Sequence, residues 1–170
     1  EPEEQFLGGP MFYTSGTTGK PKGVKSGLSQ TGAPVETLKM MGEGLSGMLE
    51  MPQNGKTLLV GPIYHSAQWA FSFLPLLAGS SIVMRHKFDA AETLKLIDEH
   101  AITNTHLVPT QFTRMLRLND AEKSTFKGDS LGIVWHGAAP CPPEIKRQMI
   151  EWWGPVVSEY YGSTEGSIVT

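Results

Sequence analysis

Thr57 to Met84 reads TLLVGPIYHSAQWAFSFLPLLAGSSIVM. The first residues, Thr57 to Gly61, form a short apolar run closed by glycine and proline, which predicts a buried strand. Ala67 to Gly79 is apolar, long enough for a helix and closed by a glycine. Ser81 to Met84 is again strand-like. Strand, helix and strand in immediate succession form the unit from which parallel sheets are built, because parallel neighbours need a crossover connection.

The alternation continues outward. Asp89 to His100 predicts an amphipathic helix: Asp89 is placed to cap it, and Ala90, Leu94 and Ile97 share one face, which Leu96 widens. Thr105 to Val108 is strand-like, and a helix through Phe112, Met115 and Leu116 follows Pro109. The polar stretch Asn119 to Asp129 reads as an exposed loop. Leu131 to Trp135 predicts a strand, Pro143 to Trp153 a helix and Val156 to Tyr160 a last strand, while Pro10 to Tyr13 predicts a strand near the start. The fold expected is α/β, with a largely parallel sheet flanked by helices. Ligands of such sheets bind beyond the strand ends, and Thr14, His65, Gly137 and Gly162 each follow a predicted strand.

The bulk properties narrow the function. A chain of 170 residues, 39% hydrophobic and 18% charged, has the makings of a soluble globular domain with a real core. A net charge of −3 gives no general attraction to nucleic acid or to an anionic membrane. The charge is uneven: after Glu1, Glu3 and Glu4 no acidic residue occurs before Glu36, and Lys20, Lys22 and Lys25 fall in that gap. One cysteine, Cys141, excludes an internal disulfide and points to a reducing compartment, with the cytoplasm the expected location. No apolar run reaches membrane-spanning length.

Within the basic gap lies Tyr13-Thr14-Ser15-Gly16-Thr17-Thr18-Gly19-Lys20-Pro21-Lys22-Gly23-Val24. Glycines let backbone N–H groups approach an anion, hydroxyls add short donors, and lysines add positive charge. The mixture describes a loop that holds nucleotide phosphates. It is not the common phosphate loop, which needs four residues between its glycines and then Gly-Lys-Ser/Thr: here Thr17 and Thr18 alone separate Gly16 from Gly19, and Pro21 follows Lys20. With few groups to pack and lysines that repel one another, Thr14 to Lys22 is expected to be exposed and mobile when no anion is bound.

Three more stretches carry chemistry. The first is Gly61-Pro62-Ile63-Tyr64-His65-Ser66. Its histidine has two readings: a donor that positions a carboxylate, or a cap for the helix beginning near Ala67. The second is Trp135-His136-Gly137-Ala138-Ala139-Pro140, where small residues suit close packing of a flat base against backbone. By itself it is also an ordinary strand-to-helix turn, with Pro142 and Pro143 opening the next helix. The third is Tyr161-Gly162-Ser163-Thr164-Glu165, preceded by Tyr160. A carboxylate is a hard ligand suited to Mg²⁺ on phosphate oxygens, and a hydroxyl can stabilise charge that grows at phosphorus. Rival signatures are missing: no Gly-x-Ser-x-Gly elbow occurs, and His136 and Cys141 lack partners at zinc-site spacing.

These four stretches, in this order, resemble the adenylate-forming (AMP-binding) superfamily, in particular its acyl-CoA synthetase branch, and the likeness spans most of residues 10 to 170. It implies a part of the large N-terminal domain of such an enzyme, with a phosphate loop at 13–24, a Tyr-His segment at 61–66, an adenine turn at 135–140 and a Tyr-Gly-Ser-Thr-Glu motif at 161–165. By that match Thr14, Ser15, Gly16, Thr17, Thr18, Gly19, Lys20 and Lys22 hold phosphates. Gly137, Ala138, Ala139 and Pro140 lie against adenine, and Tyr161 stacks on it, with Gly162 and Ser163 beside it. Thr164 donates to the α-phosphate, and Glu165, helped by Thr14, holds Mg²⁺. His65, Thr164 and Glu165 are the catalytic candidates. Tyr64, Trp69, Trp135 and His136 are candidates for the acyl pocket. For His136 the alternative is a local hydrogen bond; for Trp69, Phe71, Phe73 and Leu74 it is the core.

The resemblance implies ATP, Mg²⁺ and CoA as cofactor and co-substrates, and a small carboxylic acid as substrate. Relatives that activate amino acids place an aspartate shortly after the histidine to pair with the ammonium. Ile63 to Gly79 contains no Asp or Glu, and an unpaired buried ammonium is costly, so a fatty or aryl acid is expected. The family's ribose aspartate, its hinge and its C-terminal lysine domain have no counterpart in these residues. The chain is therefore expected to be a piece of a longer enzyme and inactive alone. Transfer of the acyl group to a carrier protein, or a non-catalytic nucleotide-binding module, are the alternatives.

Overall fold

The computed structural model describes residues 8–15, 19–25 and 32–164. Five short strands form one parallel sheet: β3 (Lys56–Leu59), β4 (Ser81–Met84), β5 (Asn104–Leu107), β6 (Ile133–His136) and β7 (Val157–Glu159), in the spatial order β4-β3-β5-β6-β7. The first two strands of the chain, β1 (Met11–Thr14) and β2 (Lys22–Lys25), pair antiparallel in a sheet of their own. The α/β fold with a parallel sheet is thus as expected, but Thr14 ends a strand of a separate hairpin rather than a strand of the main sheet.

Six helices complete the described chain: α1 (Thr37–Met48), α2 (Ser66–Leu77), α3 (Ala90–His100), α4 (Pro109–Leu116), α5 (Asp120–Ser124) and α6 (Pro143–Trp153). Local signals set their ends. Asp89 accepts from the Glu92 N–H at 2.9 Å and starts α3. Pro109 opens α4, where the amide N–H it lacks has no helical partner to lose. Helix α5 occupies part of the stretch expected to be loop. A reciprocal cap builds it: Asn119 accepts from the Glu122 N–H, and Glu122 accepts from the Asn119 N–H.

The sheet separates two cores. On one face Leu94 and Ile97 of α3, Phe112 and Met115 of α4, and Met149 and Trp153 of α6 pack on Leu58, Leu107, Val134 and Val157. On the other, Leu49, Met51 and Phe71 of α2 pack on Ile133, Trp135 and Tyr160. Helix α1 lies on α2 at close range, since a Cβ at Gly42 would stand 2.3 Å from Leu77 Cβ. The chain leaves β3 for β4 through α2, then crosses back through α3 to β5 on the other side of β3. Right-handed crossovers in opposite directions put α2 and α3 on opposite faces. The reversal falls between the adjacent strands β3 and β5, and it is beyond the carboxyl ends of strands at such a reversal that open α/β sheets take their ligands.

Candidate functional site

All five strands of the main sheet run the same way, so the segments after them meet at one edge. Gly61 to His65 follow β3, Gly137 to Pro140 follow β6, and Tyr160 to Thr164 follow β7. The structure joins the first and last directly: Ser66 Oγ and Thr164 Oγ1 lie 3.3 Å apart, 98 residues apart in sequence. Tyr160 N–H donates to the His136 carbonyl at 3.0 Å, extending the β6–β7 pairing into the site.

His65 is exposed and caps α2, its Nδ1 accepting from the Ala67 N–H at 3.3 Å. With Nδ1 engaged, the proton of the neutral ring sits on Nε2. The cap occupies Nδ1 and leaves Nε2 out of that bond, so the two readings of His65 are compatible. The first turn of α2 carries no acidic side chain, so the positive end of its dipole is not neutralised from within.

The 135–140 stretch departs from the expectation in one respect. The left-handed residue of the turn is Ala138, at φ 66°, while Gly137 is needed for close approach: a Cβ there would lie 2.6 Å from the Tyr160 ring and 2.9 Å from its carbonyl. Positive φ costs a non-glycine residue some strain, and Ala138 shares it with Glu50, Asn54 and Ala101, the last of which ends α3. Ala138, Ala139 and Pro140 are exposed. Tyr64 and Tyr161 are 81% and 83% exposed, so their rings are spare surface rather than core.

The four acyl-pocket candidates are not brought together. Trp135 and His136 are consecutive on a strand and point to opposite faces. Trp135 is buried among Phe71 and Tyr160, with its indole N–H donated to the Leu49 carbonyl at 2.8 Å. His136 is fully buried and edge-on to Phe112, 5.1 Å away. Among the described residues neither of its nitrogens has a hydrogen-bond partner, so it makes no local bond either. Burial pushes its pKa down against the opposing pull of Glu159. Trp69 is half-buried between Phe73, stacked at 4.6 Å, and Phe12 of β1, edge-on at 5.6 Å. It anchors the hairpin to α2.

The hairpin presents the basic segment. Thr14 is paired with Lys22 at its mouth, and Lys20 and Lys22 are exposed. Gly16, Thr17, Thr18 and Glu165 lie outside the described residues. Among the described residues no three His, Cys, Asp or Glu side chains converge as a metal cage. Among the described residues no helix is long and apolar enough to cross a membrane.

Sequence reasoning gave no role to Gln68, His106 or Tyr160, which lie beneath this edge. Gln68 Nε2 is 2.8 Å from His106 Nδ1, and His106 Nε2 is 3.0 Å from the Tyr160 hydroxyl, all buried. Burial, with lesser repulsion from His65 and His136, pushes the pKa of His106 down to about 3. Burial also pushes Tyr160 up to about 12.

Residues 10–170 match the AMP-binding enzyme family over nearly the whole chain. The chain belongs to that family. It is 33% identical over 168 residues to the medium/long-chain-fatty-acid–CoA ligase FadD8 of Mycobacterium tuberculosis, covering 99% of this chain and 27% of that protein. It is 33% identical over 159 residues to the indoleacetate–CoA ligase of Aromatoleum aromaticum, covering 91% and 29%. Among solved structures, ATP-bound MatB from Rhodopseudomonas palustris superposes with a TM-score of 0.72 at 29% identity, over 91% of this chain and 29% of that one. This AMP-binding chain therefore spans less than a third of the length of these relatives.

Proposed function

We propose that the whole protein carrying this domain activates a carboxylic acid without an amino group, fatty or aryl, and passes it to CoA. A carboxylate oxygen attacks the α-phosphorus of Mg·ATP, the bond to the β-phosphate oxygen breaks, and pyrophosphate leaves. The CoA sulfur, losing its proton, then attacks the acyl carbon and AMP departs. In this reading His65 Nε2–H orients the carboxylate, and Thr164 donates to the α-phosphate as negative charge builds there. Glu165 and Thr14 hold Mg²⁺. Lys20, Lys22 and the N–H groups from Ser15 to Gly19 hold the outer phosphates, and Tyr161 with the Gly137–Pro140 turn holds adenine. Mg²⁺, when bound, neutralises phosphate charge and supplies Lewis acidity.

The observation that carries the reading is the 3.3 Å contact between Ser66 and Thr164. It supports the reading because Ser66 is next to the proposed carboxylate donor His65 and Thr164 is the residue proposed for the α-phosphate, and acyl-adenylate formation requires those two groups side by side. The missing acidic residue between Ile63 and Gly79 supports an acid lacking an ammonium, as do the fatty and indoleacetic acids named for the relatives. The test is ATP–pyrophosphate exchange by the whole protein across fatty, aryl and amino acids, followed by CoA release of AMP. Exchange with fatty or aryl acids is expected. No exchange with any acid, or a preference for amino acids, overturns the reading.

A further inference from the structure

Gln68, His106 and Tyr160 come from three separate elements: α2, the central strand β5 and the residue after β7. Each end of this buried set sits under one of the site's turns. The Gln68 side chain fills the space above Gly61, where a Cβ would lie 2.5 Å from Gln68 Cδ. The Tyr160 ring fills the space under Gly137, where a Cβ would lie 2.6 Å from it. Phe71 stacks on the face of His106 at 4.6 Å and leans on Tyr160 at 5.2 Å, so the set has no room to turn.

The protons can be assigned. The main-chain carbonyl of His106, which can only accept, lies 3.4 Å from the same Gln68 atom that meets Nδ1; this fits the amide nitrogen there and leaves Gln68 Oε1 buried without a partner among the described residues. Nδ1 therefore accepts, Nε2 carries the proton, and Nε2–H donates to Tyr160. The chain of donors runs one way, from Gln68 to His106 to Tyr160.

We propose that His106 is a positioning residue which, through Gln68 and Tyr160, fixes the spacing between the turn carrying His65 and the turns carrying Gly137 and Tyr161. In the adenylating reaction proposed above, on which this rests, that spacing is the distance between the carboxylate and the nucleotide. His106 touches neither. It acts through the two glycine positions against which its partners are wedged.

The test uses the whole protein and four variants: His106→Phe, which keeps a flat ring without nitrogens; Tyr160→Phe, which removes one hydroxyl and leaves the ring under Gly137; the two combined; and His106→Gln, whose amide can still donate to Tyr160. Each is checked by thermal unfolding, then assayed by pyrophosphate exchange with ATP varied. Both single variants are expected to lower kcat by on the order of 10- to 100-fold, the cost of sub-ångström to 1 Å misplacement of reacting groups. The KM for ATP should move less than about threefold, since the contacts to nucleotide remain. The double variant should be no slower than the worse single one, because one tie is being cut twice. His106→Gln should recover most of the rate. Losses that multiply in the double variant, or a fall in melting temperature with kcat unchanged, overturn the inference. A wild-type protein that exchanges with no acid instead overturns the functional reading, and this inference with it.

Discussion

The hairpin β1–β2 and the Gly137 turn serve the same nucleotide in this reading, yet they are held in opposite ways. The hairpin is a sheet of two strands whose residues are exposed or half-buried, tied to α2 by Phe12 against Trp69. The Gly137 turn leaves the fully buried strand β6, closes on the Tyr160 ring at van der Waals limits and continues into α6. Phosphates are large, charged and bound through many backbone donors, so a cover that arrives with the ligand is workable. A flat base needs a slot of fixed width, and close-packed side chains supply one.

The steepest way to break that contrast is at Gly137. Gly137→Val sets a branched side chain against the Tyr160 ring and carbonyl, neither of which can retreat from β6 and β7. A loss of about 3 kcal/mol in stability is expected from overpacking, read by urea unfolding, together with loss of AMP binding by calorimetry. Gly23→Val in the hairpin is the control. Its nearest neighbour is the end of the Met11 side chain, which can move, and a change below about 1 kcal/mol is expected.

The second test uses pH, and its sign follows from His106. Its folded-state pKa, about 3, lies below the ordinary value of 6.5. Between those values the unfolded chain binds the proton and the folded one does not, so stability is full above 6.5 and falls as the pH drops toward 3. From pH 7 to pH 5 the loss from this group is about 2 kcal/mol. The lowered pKa of buried His136 acts in the same direction. Urea midpoints at the two values check this, and His106→Phe should flatten the slope. Amide exchange should show acid loosening β5 and β6 with the rest of the core, whereas the hairpin exchanges readily at both values.

The same contrast explains what could be read in the sequence. The strand 81–84 and the helix 143–153 come out as expected, as does the Asp89 cap, because their signals are local. Helix α1 carries no such signal, since Gly42, Gly44 and Gly47 lower helix propensity; the glycine at 42 answers to Leu77, not to its own segment. Strand β2, Lys-Gly-Val-Lys, has no apolar alternation to read. Strand β5 begins at Asn104, one residue before the strand-like run at Thr105, which excludes Asn104 because it is polar. It is buried with its amide donating to Thr57 Oγ1 at 2.9 Å, a partner visible only once the strands are paired. Within the site, the segments at the sheet edge were legible as motifs. Their support was not, because Gln68 and Tyr160 meet His106 across 38 and 54 residues. The asn-x-x-glu cap of α5 and the opposite facing of Trp135 and His136 were legible in principle, from a capping pattern and from strand periodicity.

The smallest effect on stability, and the most selective on function, should come from Phe12→Ala. Phe12 is half-buried, and its edge-on contact with Trp69 at 5.6 Å is the aromatic tether of the hairpin to α2. The main sheet contributes no strand to the hairpin, so removing the ring leaves both cores intact, and global stability should fall by no more than about 1 kcal/mol. Local opening is another matter. Amides of Met11 to Thr14 and Lys22 to Lys25 should exchange several-fold faster while those of Ile133 to His136 keep their rates. A hairpin that must be ordered by the ligand takes that cost from binding, so ATP affinity should weaken more than AMP affinity, since AMP lacks the outer phosphates assigned to the hairpin. Equal weakening of both nucleotides would mean that Phe12 and Trp69 shape the base slot as well, and the division between a tethered cover and a fixed slot would not hold.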